Sequence, residues 1–290
     1  MIVVDWGTSS FRAYRIQHGG IVGRHETPTG ILHVAADGFA DALRRAVGPW
    51  LKAGETRILM SGMVGSRQGW REAPYLPCPA GPDDLAQALL AVPFEGAAVR
   101  IVPGLVSTDP GGVPEVMRGE EVQLAGVLPE IGRDATACLP GSHSKWAHIR
   151  GGRIASFATH LTGEAFAALR GHTILGRMMQ DGPTETQAFR RGVLRSAQPG
   201  GLLHHLFGIR TLGLLDLLTN ADSASYLSGL LIGHEVREAA PRGTVYLVGA
   251  PALCTLYAIA ITHYGAEART AGVDAAAKGL ALIAEAAAWT

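Results

Sequence analysis

Three short segments carry residues suited to phosphate chemistry. The first is Asp5-Trp6-Gly7-Thr8-Ser9-Ser10-Phe11-Arg12. A turn holding Gly7 and the hydroxyls of Thr8 and Ser9 presents N–H and O–H donors to an anion. Asp5, at the end of the preceding strand, offers Mg²⁺ a hard oxygen ligand, through water because that ion keeps several waters. Arg12 can reach a phosphate oxygen. The second segment, Pro140-Gly141-Ser142-His143-Ser144-Lys145, repeats these donors and adds a cation. The third, Gly249-Ala250-Pro251-Ala252, lets a flat group approach the backbone closely. Two such donor turns could clamp a triphosphate such as ATP. Neither the P-loop nor the GxGxxG spacing is present. Taken alone, the first turn is also what an ordinary polar hairpin offers. His143 lies between serines but in no GxSxG elbow, which argues against nucleophilic hydrolysis.

The pattern predicts the elements that must hold these turns. Strands over 2–5, 11–17 and 21–27 flank the first turn, with Gly19-Gly20 as the hairpin. An amphipathic helix follows over 38–52, then a strand over 57–60 that enters Ser61-Gly62-Met63-Val64-Gly65-Ser66. Further helices are expected over 85–90 and 118–128, with a strand over 98–102. After residue 128 the opening pattern returns: strand 136–139, the Gly141 turn, strand 146–150, Gly151-Gly152, strand 153–159. A repeat this long implies two similar domains rather than a solenoid. Helices are then expected over 163–169, 186–197, 201–211 and 222–239, the last capped by Asp222 or Ser223. A strand over 244–248 and helices over 253–264 and 274–289 complete the chain. The expected domains are 1–128 and 129–290, with the last helix able to pack back on the first.

Composition bounds the function. The 290 residues fit two domains at roughly 100–200 residues each. Lys+Arg and Asp+Glu number 25 each, which argues against a nucleic-acid coat or a membrane-surface protein. Three distant cysteines suit reduced thiols rather than a disulfide framework. Met1 leads straight into an apolar strand, and no apolar run reaches the roughly 18 residues of a membrane span. A soluble, cytoplasmic protein is expected, with a homodimer compatible. The adjacent His204-His205 shows no metal-ligand spacing and is expected on a helix surface. Glycine, at 38 residues, is in excess and without period.

The ordered blocks resemble the 2-dehydro-3-deoxygalactonokinase family of the actin-like ATPase and sugar-kinase superfamily. They are Asp5–Arg12, Ser61–Ser66 with Gly69-Trp70, Ala73-Pro74-Tyr75-Leu76, Pro103-Gly104-Leu105, Met117–Gln123, Pro140–Trp146, Leu161-Thr162-Gly163-Glu164 and Leu227–Gly233. The resemblance implies an α/β fold of two actin-like (ribonuclease H-like) domains, each a mixed sheet flanked by helices, with a cleft between them. It implies transfer of phosphate from ATP, with Mg²⁺, to the 6-hydroxyl of a 2-keto-3-deoxy sugar acid. A kinase of the same fold for another sugar or sugar acid, or an actin-like ATPase or phosphohydrolase, stays open. Gly7, Thr8, Ser9 and Arg12 with Gly141, Ser142, His143, Lys145, Gly249 and Ala250 become nucleotide contacts, and Asp5 the metal residue.

Many relatives carry an acid inside the second phosphate turn, which is absent here. The resemblance to hexokinase-type relatives therefore makes Glu120 the expected base, with Glu121 close behind. The sugar acid's carboxylate calls for arginine or backbone donors. Arg12, Arg67 and Arg118 are candidates, with Ser61, Met63, Val64, Gly65 and Ser66 as hydroxyl or amide donors. Trp6, Trp70 and Trp146 each sit by a motif, and either walling the sugar pocket or packing under the turn is expected of them. Glu164 is grouped with the substrate contacts, touching a cation or a ribose.

Overall fold

The computed structural model describes residues 1–289. Chain order is β1 (Ile2–Trp6), β2 (Phe11–Gln17), β3 (Gly20–Thr27), α1 (Phe39–Lys52), β4 (Arg57–Ser61), β5 (Tyr75–Pro77), α2 (Pro82–Gln87), β6 (Leu90–Val92), β7 (Ala98–Ile101), β8 (Gly104–Thr108), β9 (Pro114–Met117) and α3 (Glu120–Ile131). There follow β10 (Ala135–Leu139), β11 (Ser144–Arg150), β12 (Arg153–His160), α4 (Thr162–His172), α5 (Thr186–Ser196), α6 (Leu202–Leu214), α7 (Asn220–Ala239), β13 (Thr244–Val248), α8 (Pro251–His263), β14 (Glu267–Ala271) and α9 (Ala275–Ala286). Two compact units result. One holds residues 1–134, 147–157 and the chain from Ala271 onward; the other holds Ala135–Trp146 and Ala158–Thr270.

In the first unit a six-stranded sheet has the order β3-β2-β1-β4-β7-β6. β1 is antiparallel to β2 and parallel to β4, and the register sets Asp5 opposite both Arg12 and Ser61. Alternation along β1 sends Ile2, Val4 and Trp6 into one core with Phe39, Leu43 and Val47 of α1. The hairpin turn is His18-Gly19, with φ of 51° and 73°, rather than Gly19-Gly20, because Gly20 already pairs with Gln17. α9 packs on α3 and reaches β1 and β4. The two helices touch backbone to backbone: a Cβ on Gly279 would lie 1.8 Å from the Val122 carbonyl oxygen.

The second sheet has the order β12-β11-β10-β13-β14, with β10 parallel to β13. Its first four strands repeat the order β3-β2-β1-β4, and the first three of them are the repeat legible in the sequence. α5 and α7 approach equally closely, since a Cβ on Gly229 would stand 1.9 Å from the Phe189 oxygen. The cap of α7 is Thr219, not Asp222 or Ser223. Its hydroxyl accepts the Asp222 N–H at 3.1 Å and donates to the Asp222 carboxylate at 2.8 Å, so the acid serves as the reciprocal partner three residues in.

Other boundaries moved for local reasons. α2 starts at Pro82, where proline suits a first helical position, and Leu90 opens a strand. α3 begins at Glu120 because Gly119, at φ 108°, breaks the helix before it. The three-stranded sheet β5-β8-β9 and strand β14 were not anticipated. Among the described residues the cysteines are free thiols, and burial pushes Cys78 up to about 11. No helix among those residues is long and apolar enough to cross a membrane.

Candidate active site

Three turns converge in the first unit. The Gly7 turn is closed by the Gly7 N–H on the Ser10 carbonyl at 2.9 Å. Gly30 lies against it so tightly that a Cβ there would meet the Thr8 oxygen at 2.2 Å. Thr8 and Ser9 stay exposed. Gly62, at φ 89°, comes next: its Cβ would fall 2.8 Å from the Trp6 oxygen and 3.3 Å from Asp5 Oδ1. Gly119 in turn faces Gly62, since a Cβ on Gly119 would lie 3.3 Å from the Gly62 Cα. Glycines at these contacts let the end of β1, the turn after β4 and the start of α3 share one small volume.

The charges there are unequal. Burial raises the Asp5 pKa, against the pull of Arg12, whose Nη1 stands 3.3 Å from Asp5 Oδ2. Arg118 donates from Nη2 to the Ala73 carbonyl at 2.7 Å and stacks 4.4 Å over the Tyr75 ring. Its remaining nitrogens are stranded. Among the described residues, the buried side-chain atoms without a hydrogen-bond partner are Trp6 Nε1, Ser61 Oγ, and Arg118 Nε and Nη1. Buried donors in that state cost about 1–3 kcal/mol each, so a polar ligand is the physical remedy. Arg67 differs: its side chain is 86% exposed and it pairs with Glu72.

Glu120 and Glu121 diverge as neighbours on a helix must. Glu120 is half-buried, and its Oε2 accepts the Arg118 N–H at 3.0 Å. Glu121 is fully buried and accepts the Gly119 N–H on both oxygens, at 2.9 and 2.7 Å. Burial, then the Glu120 charge, pushes its pKa up to about 8.

Several expected contacts are spent internally. The Gly65 and Ser66 N–H groups donate to Gly62 and Met63, and the Ser66 hydroxyl also donates to Met63. The Val64 side chain is buried, with Met63 packed against the same core. Trp6 borders a pocket with Phe11, His25 and Val34. It is 1% exposed, edge-on to Phe11 and Phe39, and supports the turn from the core.

The second unit holds the other two turns. Gly141 borders a cavity of about 280 Å³, with Thr162 and Gly163 of α4, Ser228 of α7, and Leu253 and Tyr257 of α8. Gly163 allows the contact: its Cβ would sit 2.5 Å from the Gly141 oxygen. The Glu164 N–H donates to the Ser142 carbonyl, and the Glu164 carboxylate meets His143 Nε2 at 2.5 Å. Glu164 therefore lies beside the Gly141 turn. Lys145 is turned inward, its ammonium donating to Thr159 at 3.0 Å. Gly249, at φ 155°, stands against Pro140, and Ala250 caps α8.

One group escaped the sequence reading. Glu235 of α7 is 3% exposed. It accepts from Trp146 Nε1 at 2.8 Å and from the Tyr257 hydroxyl at 2.7 Å, and that hydroxyl lies 2.6 Å from Ser144 Oγ. The carboxylate thus ties the end of the Gly141 turn to a wall of the cavity. Flanked by His234, Arg237 and Glu238, Glu235 sits in a polar helix end and carries no sequence signal of its own. His205, expected on a surface, is fully buried. Its Nδ1 is 3.0 Å from His234 and its Nε2 is 3.1 Å from the Pro199 oxygen. No metal-binding cluster exists among the described residues.

Comparison with known proteins gives this geometry a family. The sequence profile of 2-keto-3-deoxy-galactonokinases matches residues 5–283. A probable 2-dehydro-3-deoxygalactonokinase of Rhizobium meliloti (strain 1021) is 36% identical, over 95% of this chain and 93% of its own. The 2-dehydro-3-deoxygalactonokinase of Escherichia coli (strain K12) is 31% identical, over 95% and 94%. A crystal structure of a candidate for the same enzyme from Sinorhizobium meliloti superposes with a TM-score of 0.91 at 35% identity, covering 98% of each chain. At 13% identity and a TM-score of 0.52, a nucleotide-bound dehydratase activator from Clostridium difficile shares the fold alone, that of the actin-like ATPases and sugar kinases. With its profile match nearly end to end, the chain belongs to the 2-keto-3-deoxy-galactonokinase family.

Proposed function

We propose that this protein phosphorylates the 6-hydroxyl of 2-dehydro-3-deoxy-D-galactonate at the expense of ATP. The observation that supports this most is the stranded Arg118 guanidinium against Gly65 of the Ser61–Ser66 turn, in the unit whose first turn carries Asp5. A buried cation with unpaired N–H groups fits a carboxylate and its adjacent oxo group. Arg118 anchors the acid end of the substrate, and the Ser61 hydroxyl donates to one of its oxygens. Glu120, the half-buried carboxylate, accepts the proton of the attacking hydroxyl. Glu121 holds the Gly119 backbone that aims Glu120 and Arg118.

Bound ATP supplies the phosphoryl group, and Mg²⁺ the charge that offsets its oxygens. The residues fit both. Asp5 is a carboxylate short of solvation, which a hard cation compensates, while Thr8 and Ser9 expose hydroxyls. Gly141, Ser142 and His143 border the nucleotide side, with the Tyr257 wall and the Gly249-Ala250 turn receiving the adenosine end. Glu164 fixes the His143 ring through its hydrogen bond.

The test is an ATP-coupled assay with a panel of sugars and sugar acids, with the product's phosphate position read by NMR. Turnover of the 2-keto-3-deoxy acid to its 6-phosphate, well above galactonate or glucose, is expected. ATP hydrolysis indifferent to any acceptor would overturn the reading.

A further inference from the structure

Helix α6 presents an apolar stripe to solvent. Leu203, Phe207 and Leu214 are 84%, 61% and 59% exposed, while His205, Leu206 and Ile209 fill the buried side. With Arg210, which is half-buried, the stripe runs in steps of four, three and four, the seam spacing of paired helices. Leu215 and Leu217 just beyond it, at 68% and 59%, and Leu194 of α5, at 52%, widen the patch. Single exposed leucines are ordinary on a monomer, but a contiguous group is not. At roughly 100 Å² each, six such side chains offer on the order of 600 Å², against roughly 800 Å² per partner in a standard interface.

We infer that this face is a two-fold interface between two copies of this chain, with α6 antiparallel to its counterpart. The argument for a second copy, rather than another protein, is self-complementarity. A two-fold contact must pair residue i with j and j with i. Antiparallel helices crossing between Gly208 and Ile209 set Leu203 against Leu214 of the second copy. They also set Phe207 against Arg210 of the second copy. The one charge in the stripe then lies on an aromatic face, twice by symmetry, a favourable cation–π contact. No α6 residue lines the cavity beside Gly141, and the inference does not depend on the proposed reaction.

Sedimentation equilibrium of the full chain is expected to give twice the chain mass of 30.4 kDa in the micromolar range. Leu203→Glu with Phe207→Glu is expected to give a single chain mass with an unchanged circular dichroism spectrum. Arg210→Glu, a milder change, is expected to weaken the dimer at least tenfold and covers the case in which the double variant misfolds. Leu203→Cys with Leu214→Cys should form an oxidant-dependent covalent dimer, while either single variant should not. A wild-type chain of single mass throughout overturns the inference, whether the face is bare or takes a different partner. A dimer that survives Arg210→Glu and the double glutamate variant overturns it too, and failure of the cysteine pair to cross-link overturns the antiparallel register.

Discussion

Glu121 is a carboxyl whose proton depends on the fold. Its pKa in the folded state, about 8, lies above the ordinary 4.5. The folded chain therefore binds more protons than the unfolded chain between pH 4.5 and 8, and this group's contribution to stability falls as pH rises through that window. Glu121→Gln keeps the shape without the titration. We expect wild type to lose on the order of 3 kcal/mol relative to Glu121→Gln between pH 5 and pH 8 in urea unfolding; a difference constant with pH would refute the assignment. Glu120→Gln is expected to lower kcat about 100-fold or more with both KM values nearly kept. Arg118→Ala is expected to raise KM for the keto acid about 10- to 100-fold, the loss of a charge-assisted contact, and to leave KM for ATP alone. Lysine should rescue it poorly, since it lacks the planar fork. The residue types at this site were legible from the turns. The buried setting that sets Arg118 apart from Arg12 and Arg67 was not, because it rests on Tyr75 and Ala73, more than forty positions from Arg118.

At the scale of elements, the buried Glu235 network joins three pieces: β11, α7 and α8. Glu235→Ala leaves the Trp146 N–H and the Tyr257 hydroxyl short of an acceptor, a cost of about 3 kcal/mol in unfolding free energy. Tyr257→Phe is gentler on the fold. It is expected to raise KM for ATP several-fold, since the ring loses its tether beside the cavity, while KM for the sugar acid stays put. Two helix glycines, one at the α5–α7 contact and one in α1, give a test of opposite signs. Gly229→Ala drives a methyl into the Phe189 carbonyl and should cost about 1–3 kcal/mol. Gly48→Ala in α1, with open space around its Cβ, should gain about 0.5–1 kcal/mol. Thermal melts of both variants decide. A long periodic element such as α1 was readable because one face repeats, with Phe39, Leu43 and Val47 buried. The sheet β5-β8-β9 was hidden because its strands are only 3–5 residues long, too short for alternation to register, and lie among prolines and glycines.

On the scale of the whole molecule, the duplicated strand order was legible from two Gly-hydroxyl turns 134 residues apart. The division of the chain was less so, since it depends on contacts between distant segments. Asp274 forms a two-pronged pair with Arg24 at 2.6 Å, and the Gly272 N–H donates to Glu130. Leu280 and Ile283 of α9 are fully buried in the first unit. Leu280→Ala is accordingly expected to cost about 2–5 kcal/mol, read as a fall in melting temperature.

The Gly126–Gly279 contact between α3 and α9 also sets an order of events during synthesis. A ribosome delivers the strands of the first unit early, yet the helix that covers α3 arrives more than 140 residues later. Until then Val122, Gly126 and neighbouring backbone have no permanent cover. The second unit, by contrast, is complete once Thr270 has emerged. The half of the protein made first is thus the half finished last, and a nascent chain stalled before α9 should be the form that chaperones hold.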